Sequence, residues 1–293
     1  MASLLREMAF ERVVVLGAGL IGGSIGLARQ ERGLGETRFW GRSEERLKPA
    51  QAAGFFASAD LGEAIKDCDL VVLATPVEFY QGLAIQLLQV GKEFLAPGCL
   101  VTDVGSVKGL VEETAGRLFR KNGLPFVGSH PMAGSEKGGF AEAHSDLFEK
   151  ACCFVCSEEG EDVENENRLQ KFWETLGCRV ERATVEAHDE IVARVSHLPH
   201  ILAAVGAAVS LRMEGEEAFG GGGLRDTTRV AGGNPEMWRG ILSGNRDAVL
   251  AELNEATNEL ESIKKCLISG DSEGLEAWLK AAQEKRKRVN EAL

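Results

Sequence analysis

The chain has 293 residues, of which 44 % are apolar and 27 % charged, an ordinary globular composition that excludes disorder and allows one large domain or two smaller ones. A formal charge of −12 with no long Lys/Arg block excludes nucleic acid as the expected partner. Met1–Glu11 lacks the apolar stretch of a signal peptide, no apolar run of membrane-spanning length is read, and seven scattered cysteines fit free thiols, so a cytoplasmic protein without a membrane partner is expected.

Val13–Leu16 is a β-branched run ending in glycine, and a helical stretch follows over about Leu20–Arg32. Arg38–Trp40 is a second strand and Glu44–Ala53 a helix. Asp69–Ala74 reads as a buried strand stopped by Thr75-Pro76. Leu100–Asp103, Phe126-Val127 and Cys152–Cys156 read the same way. Arg168–Leu176 is helical, and Arg179–Glu181 is an edge strand. This alternation predicts a parallel sheet with helices on both faces. From Glu186 onward no strand pattern remains. His188–Met213 is a long helical stretch that Pro199 should kink or split. Gly220–Gly223 is a loop or a site of close approach, and Asn234-Pro235 caps a helix. Two helices, about Arg246–Ile268 and Ser272–Glu291, finish the chain. The expected organisation is an α/β domain over 1–184 and an all-helical one over 185–293.

Gly17-Ala18-Gly19-Leu20-Ile21-Gly22 fits G-x-G-x-x-G between a strand and a helix, the context a dinucleotide site needs. Gly17 permits the turn, Gly19 lets the backbone approach a pyrophosphate, and Gly22 lets the helix pack on the strand. Leu20 and Ile21 open the helix whose free N–H groups face the phosphates. After the second strand, where an NAD site usually carries an acid, the chain has Gly41-Arg42-Ser43. Arginine pairs with a 2′-phosphate, so NADP is favoured over NAD. Glu44 and Glu45 are the acids of the alternative alignment.

Three segments lie beyond strand ends, where ligands bind in such sheets: Thr75-Pro76-Val77, Asp103–Lys108 and Gly128–Glu136. His130, in a glycine-rich loop past a strand end, has the chemistry to take a proton from a substrate hydroxyl, or it serves its own loop. Ser106 holds a hydroxyl, orients His130 or caps the next helix. Lys108 approaches a ligand or is a solvated first-turn lysine. His197 and His200 flank Pro199. Zinc is not expected there, because no further ligand cluster has the spacing, and two polar groups facing a cleft is the preferred reading. Arg229, near the glycine run, suits bidentate capture of a carboxylate, with a surface ion pair as the alternative.

Together GAGLIGGS (Gly17–Ser24), DVGSVK (Asp103–Lys108), GSHPMAGSEKGG (Gly128–Gly139), SHLPH (Ser196–His200), LRDTTRVA (Leu224–Ala231) and NPEMW (Asn234–Trp238) resemble the prephenate and arogenate dehydrogenases over nearly the whole chain. The resemblance implies a Rossmann domain followed by an all-α dimerisation domain, a homodimer, and NAD(P)-dependent oxidative decarboxylation of a cyclohexadienyl acid in tyrosine biosynthesis. It implies His130 as the catalytic histidine, Ser106 beside it, Arg229 at the substrate carboxylate, His197 and His200 lining the cleft, and Ser135 and Glu136 in the loop at its mouth. A monofunctional chain without a chorismate mutase or ACT domain is expected. The rival readings are a related β-hydroxyacid or imine dehydrogenase and a non-catalytic dinucleotide sensor.

Overall fold

The computed structural model describes residues 10–135, 137–157 and 162–292. They divide into two compact units, one ending at Asn245 and one beginning at Arg246. In the first, β1 (Arg12–Leu16), β2 (Glu36–Trp40), β3 (Phe56–Ser58), β4 (Leu70–Leu73) and β5 (Leu100–Asp103) form a parallel sheet in the order β3-β2-β1-β4-β5. Helices α1 (Leu20–Glu31), α2 (Glu44–Ala52), α3 (Leu61–Ile65) and α4 (Tyr80–Val90) connect the strands. Strand periodicity explains how both faces are covered. Val13 and Val15 join one apolar cluster with Ile25, Phe39 and Trp173, whereas Val14 and Leu16 join another with Leu83, Leu87 and Phe119. The chain reverses direction across the sheet between β1 and β4, and that crevice is where such folds bind ligands.

Beyond β5, α5 (Lys108–Val111) runs through a π-helical turn (Glu112–Gly116) into α6 (Arg117–Lys121). Phe126 then bridges Val101, which brings β6 (Gly128–Pro131) beside the parallel sheet. β6 pairs antiparallel with β7 (Cys152–Cys156). After α7 (Val163–Thr175), β8 (Arg179–Ala183) pairs parallel with β7 at the edge. The β6–β7 pair departs from the all-parallel expectation. It also moves His130, which lies inside β6 opposite Phe154 rather than in a loop past a strand end. Gly128 and Pro131 read as loop punctuation in the sequence. In the fold they bound a four-residue strand, and proline is tolerated at its end.

Thr184 caps α8 (Val185–Val192), its hydroxyl accepting the Ala187 N–H at 3.2 Å. A π-helical turn (Ala193–His197) separates α8 from α9 (Leu198–Ser210). Pro199 lies in the first turn of α9, where its missing N–H costs nothing, so the expected break falls just before it. Gly222 and Gly223, read as loop, open α10 (Gly222–Thr228). A 3-10 turn (Arg229–Gly232) leads to α11 (Pro235–Gly244), capped by the Asn234 side chain as expected.

One sequence expectation is overturned here. Val185–Ser210 is 26 residues long and reaches a mean hydropathy of 1.4, enough to cross a membrane by length and composition. Its scattered polar residues hid this in the sequence. Within the fold, His188, Asp189, His197 and His200 of this stretch are buried, while Leu202, Val205 and Val209 share an exposed apolar face. The second unit is a helical hairpin of α12 (Arg246–Ser269) and α13 (Ser272–Ala292), turned at Gly270 (φ +72°) and tied by Trp278 Nε1 to Glu259 at 2.6 Å.

Candidate active site

A cleft of about 910 Å³ opens at the carboxyl ends of β1, β2 and β4. Of the residues singled out in the sequence, Gly17, Gly19, Gly41, Arg42, Ser43, Thr75 and Pro76 line it. Gly17 has φ +125°, and a Cβ there would sit 2.6 Å from the Ala74 carbonyl oxygen, so only glycine fits. A Cβ on Gly22 would come 2.1 Å from the Gly17 oxygen, which is why α1 packs so closely on β1. Gly19 is the N-cap of α1, offers no side-chain cap, and faces open space. The first-turn N–H groups of Leu20, Ile21 and Gly22 therefore remain available to an anion. A dinucleotide pyrophosphate fits this cradle. Leu20, Ile21 and Gly22 form the helix opening behind the cleft wall.

Among the further lining residues that the sequence analysis did not assign to the cleft are Arg46, Phe79, Gly139 and Phe140. The Arg42 guanidinium lies 4.5 Å from the centre of the Phe79 ring. Arg46, in the first turn of α2, joins it at the cleft, and no spacing in the sequence marked it, because Arg42 precedes the Ser43 N-cap of that helix. The acids of the alternative alignment are engaged elsewhere. Glu44 accepts the Ala59 N–H at 3.0 Å, and Glu45 pairs with Lys48. Phe140 packs edge-on against Phe39 and brings the segment after β6 to the cleft wall.

His130 is buried, and its Nδ1 lies 2.9 Å from Nε2 of His188. His188 is fully buried, and its Nδ1 lies 2.7 Å from the Asp189 carboxylate. Burial, then His188, Lys108 and His197, hold the His130 pKa well below the usual histidine range, so the ring is neutral near pH 7. Burial works to raise the Asp189 pKa, but the hydrogen bonds from His188 and from the Lys108 and Gly109 backbone outweigh it and keep the group ionised. Neither His188 nor Asp189 belongs to a sequence motif that marks it, and only the fold brings them to His130.

Lys108 is not solvated. It is buried, pairs with Asp103 and donates to the Ser129 carbonyl at 2.7 Å, fixing the residue before His130. Asp103 also accepts the N–H groups of Gly105 and Ser129. Ser106 is half-buried and does not cap α5. That helix has Val107 at its N-cap, and Asp189 accepts its first N–H groups.

His197 and His200 are both buried, and the His200 ring stacks on Trp238 at 3.5 Å between centres. His200 also hydrogen-bonds the Val230 backbone, so SHLPH, LRDTTRVA and NPEMW meet at one place. Arg229 is exposed at the start of the turn beside Val230. Ser135 stands apart, exposed, its hydroxyl closing a short turn with Lys137. Glu136 lies outside the described residues.

The nucleotide-binding domain model of prephenate dehydrogenase matches residues 25–182, and the dimerization domain model of the same enzyme matches residues 184–281. The chain is 32 % identical to prephenate dehydrogenase of Bacillus subtilis over 94 % of its own length and 75 % of that protein. The fold resembles the crystal structure of prephenate dehydrogenase from A. aeolicus in complex with hydroxyphenyl propionate and NAD+, with a TM-score of 0.85 at 28 % identity, covering 95 % of this chain and 98 % of that one. It also resembles Synechocystis arogenate dehydrogenase, with a TM-score of 0.80 at 27 % identity, covering 95 % and 99 %. The doubly wound sheet with its glycine cradle, the helical second half and these matches agree: the chain is an NAD(P)-binding oxidoreductase of the prephenate dehydrogenase family.

Proposed function

We propose that this dehydrogenase converts prephenate, or arogenate, by oxidative decarboxylation in tyrosine biosynthesis, with NADP favoured over NAD. The observation that carries the reading is a buried, neutral His130 whose strand leads into the segment lining the dinucleotide cleft. A bound nicotinamide dinucleotide supplies the acceptor for the hydride leaving ring C4. His130 takes the C4 hydroxyl proton at Nε2, the ring nitrogen not engaged by His188. The hydroxyl oxygen thereby becomes a carbonyl, the C1–carboxylate bond breaks to release carbon dioxide, and its electron pair completes the aromatic ring. His130 then returns the proton to the phenolate. Ser106 orients the hydroxyl, Arg229 clamps a substrate carboxylate, and His197 and His200 line the ring pocket. Ser135 belongs to the loop at its mouth.

The preference for NADP rests on Arg42, Ser43 and Arg46 at the cleft, while Glu44 and Glu45 are bound elsewhere. The working division is at 184/185, where Thr184 caps the first helix of the second part. A homodimer follows from the dimerization-domain match and the exposed stripe Leu202, Val205 and Val209 on α9. Free thiols at all seven cysteines fit a cytoplasmic protein.

Purified protein offered prephenate or arogenate with NADP or NAD tests the reading. Nicotinamide reduction in at least one combination is expected, with a kcat roughly a hundredfold lower in His130→Asn. Silence in all four combinations, with the dinucleotide bound, would overturn it.

A further inference from the structure

We infer that Asp189 sets the tautomers of His130 and His197 in opposite senses, leaving His130 with a bare Nε2 and His197 with a proton on Nε2. The inference rests on His130 as the base. Its first branch runs through the Asp189 side chain. The two carboxylate oxygens accept the Lys108 and Gly109 N–H groups at 2.8 Å each, and one of them lies 2.7 Å from His188 Nδ1. A carboxylate only accepts, so His188 Nδ1 carries the hydrogen. Burial keeps His188 neutral near pH 7, against the pull of Asp189. Its Nε2 is therefore an acceptor, and His130 Nδ1, 2.9 Å away, must donate to it. A neutral imidazole with its hydrogen on Nδ1 has a bare lone pair on Nε2, the state a general base requires. The other ionisable groups facing the pair are Lys108 and Asp103 on the sheet side and His197 in the π turn.

The second branch runs through the Asp189 backbone. The Asn245 amide nitrogen donates to the Asp189 carbonyl at 2.7 Å, which fixes which end of the amide is nitrogen. The same nitrogen lies 3.3 Å from His197 Nδ1, so its second hydrogen makes that ring atom an acceptor. Burial pushes the His197 pKa down to about 4, and the neutral ring then holds its hydrogen on Nε2. That atom is buried and has no partner among the described residues. A buried donor without an acceptor calls for one from a ligand, and a substrate carboxylate or carbonyl oxygen supplies it. One aspartate thus pairs a proton acceptor with a proton donor across the site.

The chain has five histidines, few enough for ¹⁵N-histidine NMR to report each ring nitrogen. The expected spectrum has hydrogen on Nδ1 of His130 and His188 and on Nε2 of His197. Hydrogen on Nε2 of His130, or on Nδ1 of His197, would overturn the inference, whatever the activity. Kinetics give a second readout. His188→Gln keeps a carbonyl acceptor for His130 Nδ1 and should hold kcat within about threefold, whereas His188→Leu removes it and should lower kcat by about tenfold to a thousandfold at a nearly constant KM. Equal kcat in the two variants would mean that His188 only fills space. If His188→Leu fails to fold, the spectrum of the parent protein decides. An undiminished kcat in His130→Asn would remove the base reading while leaving the measured tautomers in place, so the two failures are distinguishable.

Discussion

Asp189 caps the helix that starts at Lys108, accepting its backbone N–H at 2.8 Å across 81 positions of sequence. The Lys108 side chain turns the other way, to Asp103 and the Ser129 carbonyl. One residue therefore ties the parallel sheet, the strand carrying His130 and the helical second half together. Its hydrogen-bonding partners Asp189, Asp103 and the Ser129 carbonyl are charged or polar, in a place with almost no access to water.

Lys108→Met should therefore be costly. It strands Asp103, which is fully buried, and breaking a buried ion pair from one side costs about 3–5 kcal/mol. The double variant Lys108→Met/Asp103→Asn should recover part of the loss, because no unpaired charge remains. Thermal and urea midpoints of the three proteins check this. A single variant as stable as the parent would show that the pair contributes nothing to stability.

Arg42 and Arg46 make a prediction about cofactor choice. Arg42→Ala with Arg46→Ala should raise KM for NADP by about tenfold or more and change KM for NAD little, because only NADP carries the 2′-phosphate they would hold. Steady-state kinetics with both cofactors decide it. An unchanged preference would place discrimination elsewhere in the cleft.

Arg229→Lys should mainly raise KM for the cyclohexadienyl acid, with a smaller effect on kcat. Lysine keeps the charge but loses the planar fork that grips a carboxylate at two points. Initial rates over a range of substrate concentrations test the split, and an unaltered KM would remove Arg229 from substrate binding.

The buried histidines predict how stability follows pH. Burial lowers the pKa values of His130, His188 and His197 in the folded chain, that of His197 to about 4. Unfolded histidine titrates near 6.5, so below that pH the unfolded state binds protons the folded state refuses. Stability is fully present above about pH 6.5 and should fall steadily as the pH drops towards 4. Melting temperatures across that range should show the decline, with a shallower slope in His197→Asn. A flat profile would mean that these rings take up protons without unfolding.

The dinucleotide half was legible because its chemistry is local. Gly17, Gly19 and Gly22 sit within six residues, between a strand and a helix whose periodicities differ, and the three jobs they do are backbone jobs. β3 escaped because a three-residue strand carries no alternation. The surroundings of His130 escaped for a different reason. His188 is 58 positions away, Asp189 is an ordinary helical acid in sequence, and Asn245 ends a helix. Nothing in spacing joins them, since antiparallel pairing of β6 with β7 and the packing of α8 on α5 do so. Arg46 escaped as well, because it lies inside α2 whereas Arg42 lies before its N-cap, and only the fold brings both to the cleft.

The π turn at Ala193–His197 fits one more residue into its circuit than an α-helix would, which shifts the angular phase of the following chain by about 100°. His197, His200 and the stripe of Leu202, Val205 and Val209 all take their headings from that one extra residue. Winding the same residues as a plain α turn would leave each of these side chains present. It would still turn the histidines away from Asn245 and Trp238 and rotate the apolar stripe off its present face. Removing one residue between Ala193 and Val195 together with the wide turn would instead let an α turn close on the present headings. In this segment the hydrogen-bond pattern of a single turn, rather than the identity of its residues, sets which way the histidines face.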